Sequence, residues 1–309
     1  MKKVLITGPT GAIGIALIDQ LIKMKIGVVA ICHRGSARII NLPKSELVQV
    51  VSCDLSELKQ LPQMLEKEDE FDYFVHLAWD GAAGDARNNI KLQIDNIRYT
   101  LDAVEVAAQL GCRRFIGAGS QAEYGRCDEV IIPKTPVFPE NGYGMAKLCS
   151  GQMSRLRCNQ LGIEHIWMRI FSVYGPCDGD NTLISMLIKK LKAKEHISCT
   201  KAEQIWDYMF SADVANAIIA LMNEGVSGKV YTLACGESHP LKYYIEIIKD
   251  LIDPKAIIGY GETPYNDKQV MNLKTDISEL VNDTGFKVET DFATGIKCIL
   301  NKQMIKMEE

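Results

Sequence analysis

The chain has 309 residues, 47% of them hydrophobic, which is enough for one large domain or two modest ones with a sizeable core. Its formal net charge of −4 argues against a nucleic-acid surface, and no apolar run approaches the roughly 18 residues a membrane span needs. The start, Met1-Lys2-Lys3, has the basic opening of a signal peptide, but its apolar stretch is short and leads straight into glycines; a cytoplasmic chain without a targeting segment is expected. Ten cysteines are scattered without a CxxC pair, which speaks for free thiols in a reducing compartment and against a metal site.

Short apolar runs alternate with helical patterns through the first half. Residues 4–7 read as a buried strand, and 12–24 as a helix with Ile13, Leu17, Leu21 and Met24 on one stripe. Runs at 28–32 and 47–53 are further strands, the second followed by a helix capped by Ser56. The charge run 66–70 reads as a solvated helix end. A strand at 73–78, a helix over 88–110 ended by Gly111, and a strand at 115–119 follow. Pro133, Pro136 and Pro139 mark a loop before a helix starting near Asn141, and 165–170 is another strand. This alternation predicts an α/β fold with a parallel sheet wound on both faces. After Gly175-Pro176 the pattern loosens into helices at 183–191, 213–222, 241–251 and 276–284, with a short strand at 230–234.

The first turn carries the chemistry of a dinucleotide site. In Thr7-Gly8-Pro9-Thr10-Gly11-Ala12-Ile13-Gly14, Gly8 permits a tight turn, Gly11 lets backbone approach a pyrophosphate, and Gly14 packs helix on strand. The helix N-terminus then presents free N–H groups to phosphate. A Rossmann-type NAD(P)-binding domain is therefore expected over 1–174, with 211–235 returning to it. Residues 175–309 form a smaller C-terminal α/β substrate-binding lobe. Ile31-Cys32-His33-Arg34-Gly35-Ser36 lacks the acid that would hold a ribose 2′-hydroxyl. Arg34, with His33, Ser36 or Arg38, instead offers charge to a 2′-phosphate. NADP(H) is favoured; if Arg34 merely faces solvent, NAD(H) binds as well.

Tyr143-Gly144-Met145-Ala146-Lys147 sets a phenol and an ammonium on one helix face. A free phenol, with a pKa near 10, is too weak an acid for neutral pH. A nearby ammonium and an oxidised nicotinamide are expected to lower that pKa, so that Tyr143 exchanges a proton with a substrate oxygen. His76 reads as a core histidine.

The GxxGxxG spacing, the Tyr143–Lys147 pair and the strand end Gly119-Ser120-Gln121-Ala122-Glu123-Tyr124-Gly125 resemble the extended branch of the short-chain dehydrogenase/reductase superfamily, over nearly the whole chain. The resemblance implies a catalytic role for Ser120 beside Tyr143 and Lys147. It implies cofactor contacts from Gly8, Thr10, Gly11, Ala12, Ile13, Gly14, His33, Arg34, Asp54, Leu55, Leu77, Ala78, Trp79 (where the family carries a small residue), Asn96, Tyr143 and Lys147. That branch holds 4,6-dehydratases, 4-epimerases and 4-ketosugar reductases of nucleotide sugars. Dehydratases place an Asp-Glu pair after the serine or threonine, where Gln121 and Ala122 stand here, which argues against elimination. Together with Arg34, the strand end and Trp206-Asp207-Tyr208 resemble reductases of nucleotide-linked 4-keto-6-deoxyhexoses. An NAD-dependent 4-epimerase is the alternative, and a non-catalytic NADP-sensing protein a remote one. Ser120, Gln121, Ser172 and Trp206 are implied at the nucleotide-sugar substrate. Trp206 stands where the family has a pyrophosphate-binding arginine, so Arg87 is taken as its substitute. A homodimer is expected through the helices at 88–110 and 141–161, by Leu92, Ile97, Leu101, Leu148 and Met153.

Overall fold

The computed structural model describes residues 3–66 and 69–308, with side chains through 302; Lys67 and Glu68 of the charge run lie outside the described residues. The first half runs β1 (Lys3–Thr7), α1 (Ala12–Lys23), β2 (Val28–Cys32), β3 (Val48–Ser52), α2 (Leu61–Met64), β4 (Phe71–His76), α3 (Ile90–Gln109), β5 (Arg114–Ser120), α4 (Gly142–Leu161) and β6 (Glu164–Ile170). The second half runs β7 (Ser172–Tyr174), α5 (Leu183–Ala193), β8 (Ile197–Cys199), β9 (Ile205–Trp206), β10 (Tyr208–Phe210), α6 (Ser211–Glu224), β11 (Val230–Leu233), β12 (His239–Pro240), α7 (Leu241–Ile252), β13 (Ile258–Tyr260), α8 (Ser278–Thr284) and α9 (Phe292–Glu308).

Seven parallel strands form the main sheet in the order β11-β6-β5-β4-β1-β2-β3. The fold is the expected doubly wound, Rossmann-type α/β arrangement. β2 and β5 are buried along their whole length, as strands covered by helices on both faces must be. Val4, Ile6, Leu17, Leu21, Ile218 and Leu221 pack one layer, bringing α1 and α6 together; Leu5, Phe74, Val104, Ala107 and Phe115 pack the other, under α3. β11, which follows α6, extends the sheet beyond β6. A separate cluster of Leu187, Ile188, Tyr244, Ile245 and Ile296 holds α5, α7 and α9 together.

Strand order reverses where β1 lies between β2 and β4. Ligands of open α/β sheets bind beside such a switch, at the carboxyl ends of the strands. Thr7, His76 and Ser120 all end strands there.

Three local expectations differ from the structure. The segment after β3 is a 3₁₀ turn over Leu55–Gln60, with Asp54 rather than Ser56 at its N-cap, before the single turn α2. β4 starts two residues earlier than its apolar run suggests, because Phe71 is buried and pairs with Lys3 of β1. α9 has no counterpart in the sequence reading: its first turn carries Gly295, where a Cβ would collide with the Tyr174 ring. Of the outward apolar positions expected on α3 and α4, Met153 is exposed while Leu92, Ile97, Leu101 and Leu148 are half-buried; Ile90, Ile94, Met145 and Leu156 are exposed as well. All ten cysteines are free. Among the described residues no helix is long and apolar enough to cross a membrane, and no His/Cys/Asp/Glu group could hold a metal ion.

Candidate active site

The glycine turn has the shape its spacing implies. Gly8 adopts φ +69°, and a Cβ there would lie 2.8 Å from the Ala78 amide nitrogen. At Gly14 a Cβ would lie 2.5 Å from the Gly8 carbonyl, so side chains are barred on both sides of the turn. At Gly11 a Cβ would meet only the Gly8 carbonyl, at 3.8 Å, so its outer side is open. Gly11 is also the N-cap of α1, with no side chain capping the first turn and no acidic residue in it. Uncapped amides at a bare helix N-terminus suit a pyrophosphate. Thr10, Ala12 and Ile13 are half-buried around this turn. Thr7 Oγ1 pairs with His76 Nδ1 at 2.8 Å and accepts from the Ala78 amide at 3.3 Å, tying the turn to the end of β4 beside Leu77 and Ala78. His76 is 3% exposed, and burial beside Lys147 pushes its pKa down to about 3; it is a neutral core histidine.

At the end of β2, the Arg34 amide donates to Asp54 Oδ1 at 2.8 Å, and His33 Nδ1 lies 2.5 Å from the Arg34 carbonyl. The Arg34 guanidinium does not simply face solvent: it pairs with Glu57 at 2.7 Å, from the 3₁₀ turn that begins at Leu55. Arg38 donates to the Cys177 carbonyl at 2.6 Å, linking this corner to the segment after β7. Asn96 is 1% exposed and uses its amide group on the Asp80 backbone, accepting from its N–H at 3.0 Å and donating to its carbonyl at 2.9 Å. It braces the loop that carries Trp79, and its amide nitrogen also donates to the Leu92 carbonyl at 3.0 Å, which leaves it no N–H for a cofactor.

Asn141 caps α4 by accepting from the Gly144 amide at 2.9 Å, so Tyr143 lies in the first turn and Lys147 one turn on. Lys147 is 3% exposed and donates to the Ala118 carbonyl at 2.6 Å. Its ammonium sits 3.8 Å from the centre of the Trp79 ring and 5.8 Å from that of Tyr143. Trp79 meets the Tyr143 ring edge-on at 5.9 Å and is held by its indole N–H donating to Gln93 at 2.9 Å. Arg87 lies over the Tyr143 ring at 4.5 Å.

Burial holds Tyr143 above the ordinary phenol value, against a hydrogen bond from Ser120 and the Arg87 charge that lower it. The net shift is upward, where the motif led to an expected lowering. Burial pulls Lys147 itself down to about 7, with the Glu123 carboxylate opposing. At neutral pH the phenol therefore keeps its proton, the form in which it serves as an acid.

A cleft of about 280 Å³ opens here, lined among others by Arg87, Gln121, Ala122, Glu140, Asn141 and Lys268. Ser172 and Trp206 stand elsewhere and bond each other, Trp206 Nε1 to Ser172 Oγ at 2.8 Å. Sequence reasoning passed over Glu123 and Arg169, a buried ion pair directly behind Ser120 at 2.7 Å. The Ser-x-x-Glu spacing of Ser120 and Glu123 was the available signal: the two form a capping box around the turn 121–123.

A dinucleotide turn at a strand-order switch, with a serine, a tyrosine and a lysine at the ends of neighbouring elements, defines a nicotinamide-dependent enzyme of the short-chain dehydrogenase/reductase type. The chain belongs to the NAD dependent epimerase/dehydratase family, whose pattern it matches over residues 4–234. It is 26% identical to CDP-abequose synthase of Salmonella typhimurium over 310 aligned residues, covering 97% of each chain. It is 25% identical to dTDP-4-dehydro-6-deoxyglucose reductase of Escherichia coli, covering 90% of this chain and 91% of that one. In fold it is similar to UDP-glucose 4-epimerase of Thermotoga maritima, with TM-score 0.87, 19% identity, and coverage of 99% and 100% of the two chains.

Proposed function

We propose that this enzyme reduces the keto group of a nucleotide-linked 4-keto-6-deoxyhexose, using NADPH. The observation that carries the reading is the half-buried Tyr143, hydrogen-bonded by Ser120 and with its ring centre 5.8 Å from the buried Lys147 ammonium. NADPH supplies the hydride when bound. Ser120 holds the substrate carbonyl oxygen, and Tyr143 gives that oxygen its proton, so that C=O becomes CH–OH. Lys147 then faces the phenolate and favours it by charge. Gly8, Gly11 and Gly14 with the first turn of α1 hold the pyrophosphate, and Asp54, Leu55, Leu77, Ala78 and Trp79 border the rest of the dinucleotide. Among the described residues elimination has no acid–base pair here: Gln121 and Ala122 line the cleft, the carboxylate in its lining, Glu140, is paired with Arg126 at 2.7 Å, and Glu123 is fully buried. Arg87 and Lys268 give the cleft positive charge for a diphosphate; Gln121 borders the sugar, and Ser172 and Trp206 act as a bonded pair. Relatives named for CDP- and dTDP-linked deoxysugars support this substrate class. The test is to offer NADPH with CDP-, GDP-, dTDP- and UDP-4-keto-6-deoxyhexoses and follow the nicotinamide absorbance. Its loss with one of them supports the reductase. No loss with any, together with NAD retained by the purified protein, favours a 4-epimerase; a 26% identical relative from Methanocaldococcus jannaschii is named "Putative UDP-glucose 4-epimerase".

The preference for NADPH rests on Arg34, with no acid at the end of β2. Glu57 holds that guanidinium at 2.7 Å and competes with a 2′-phosphate for it. A charge-assisted hydrogen bond contributes about 1.5–3 kcal/mol, or about 10–100-fold in affinity. Arg34→Gln is expected to weaken NADPH by that factor and leave NADH unchanged, while Glu57→Gln tightens NADPH. Equal effects of Arg34→Gln on both cofactors, in a fluorescence titration, would contradict this.

The same reading makes the enzyme a homodimer. Ile90 and Ile94 of α3 and Met145, Met153 and Leu156 of α4 are 44–62% exposed, an apolar set that a symmetric partner would cover. Sedimentation is expected to give twice the 34.4 kDa of one chain; a single species at that mass would reject it.

A further inference from the structure

Glu123 is a fully buried carboxylate placed among donors. Its Oε1 accepts from the Ser120 backbone N–H at 2.8 Å and from the Trp167 indole N–H at 3.0 Å. Its Oε2 accepts from Arg169 Nε at 2.7 Å. Arg169 in turn donates to the Pro133 carbonyl at 3.1 Å and lies over the Tyr124 ring at 4.5 Å. The space is made by missing side chains: a Cβ on Gly119 would collide with both the carboxylate and the indole, and one on Gly151 would come within 2.6 Å of the same indole. A buried ion pair is weak evidence for stability, since an apolar pair of similar volume does as well or better. What this one does instead is grip the backbone of Ser120, whose hydroxyl bonds Tyr143.

We propose that Glu123, held by Arg169 and Trp167, is a positioning residue of the active site: it fixes Ser120 and keeps a negative charge behind the Tyr143–Lys147 pair. This rests on the reading that Ser120, Tyr143 and Lys147 carry the chemistry. The titratable and charged groups facing the site are Arg169 on β6, Tyr124 in the turn after β5, Tyr143 and Lys147 on α4, His76 on β4 and Arg87 over Tyr143. The Glu123 charge acts on Lys147 by favouring its protonated form. Glu123→Gln keeps an acceptor for the Ser120 amide but removes the charge. Glu123→Asp keeps the charge but shortens the reach to Ser120.

The test is NMR titration of isotope-labelled lysine in the whole protein, with Lys147→Met assigning the signal, beside steady-state kinetics with NADPH and the substrate from the panel. In Glu123→Gln the Lys147 titration is expected about one pH unit below the wild-type position. In Glu123→Asp the titration stays in place while kcat falls about tenfold or more, with the KM for NADPH unchanged. A packing role alone would not move the titration. An unmoved titration in Glu123→Gln overturns the electrostatic part, and wild-type kcat in Glu123→Asp overturns the positioning part; if Glu123→Gln does not fold, Glu123→Asp decides. The catalytic reading fails separately, by activity surviving in Tyr143→Phe, and the lysine titration needs no substrate.

Discussion

Replacing Tyr143 by phenylalanine is expected to cut turnover by about 10²–10⁴-fold, the range for losing a positioned acid, while cofactor binding and stability stay close to wild type. The phenyl ring keeps the edge contact with Trp79 and the stacking of Arg87. Only the hydroxyl is lost, and with it the hydrogen bond from Ser120 and the proton that burial retains. Deleting one such hydrogen bond costs about 1 kcal/mol of stability, small beside the catalytic effect. Retained turnover with unchanged NADPH affinity would remove Tyr143 from the chemistry. A loss of NADPH binding equal to the loss of turnover would make it a binding residue instead.

Lys147→Met carries the second large effect, and its sign depends on pH. Turnover is expected to fall by about 10²-fold or more, because no ammonium faces the phenolate. Stability changes in the other direction on acidification. Burial lowers Lys147 from its ordinary 10.5 to about 7 in the folded protein. Between these values the unfolded chain binds a proton that the folded chain does not, so wild-type stability rises with pH, by at most about 1.4 kcal/mol per unit. The methionine variant lacks this rise. Urea unfolding of both proteins at about pH 7 and pH 8.5 is expected to show the wild type gaining about 1–2 kcal/mol over the variant. A difference that stays constant with pH would mean that Lys147 is charged throughout, held by more than the Ala118 carbonyl.

Much of this architecture was legible in the sequence. β2 was placed to the residue because five consecutive apolar residues lie between turn signals, and the start of α4 was placed near Asn141, its N-cap, because the loop of prolines ends at Pro139. The glycine turn was legible because its requirements are backbone ones, which glycine alone meets. Side-chain pairings across elements were not. Arg34 announces a cation at the end of β2, but its partner Glu57 sits on another element, and spacing gives no sign of it. Arg169 gives no sign of its partner in the sequence, yet it is 6% exposed and turned toward Glu123. Asn96 was assigned to the cofactor through family likeness, whereas the Asp80 backbone occupies its amide. The Tyr143–Lys147 spacing fixed the shared helix face but not the direction of the pKa shift, because burial outweighs neighbouring charge and burial is a property of the assembled site.

The central claim is that Tyr143 and NADPH together reduce a carbonyl on a nucleotide-linked sugar. The most direct measurement uses NADPH carrying deuterium at its transferable position, with the 4-keto-6-deoxyhexose nucleotides as acceptors and mass spectrometry of the sugar. The account predicts one deuterium gained per NADPH consumed in the wild type, with label entering about 10²–10⁴-fold more slowly in Tyr143→Phe. A sugar isomerised without label or NADPH consumption would contradict it and make the enzyme an epimerase.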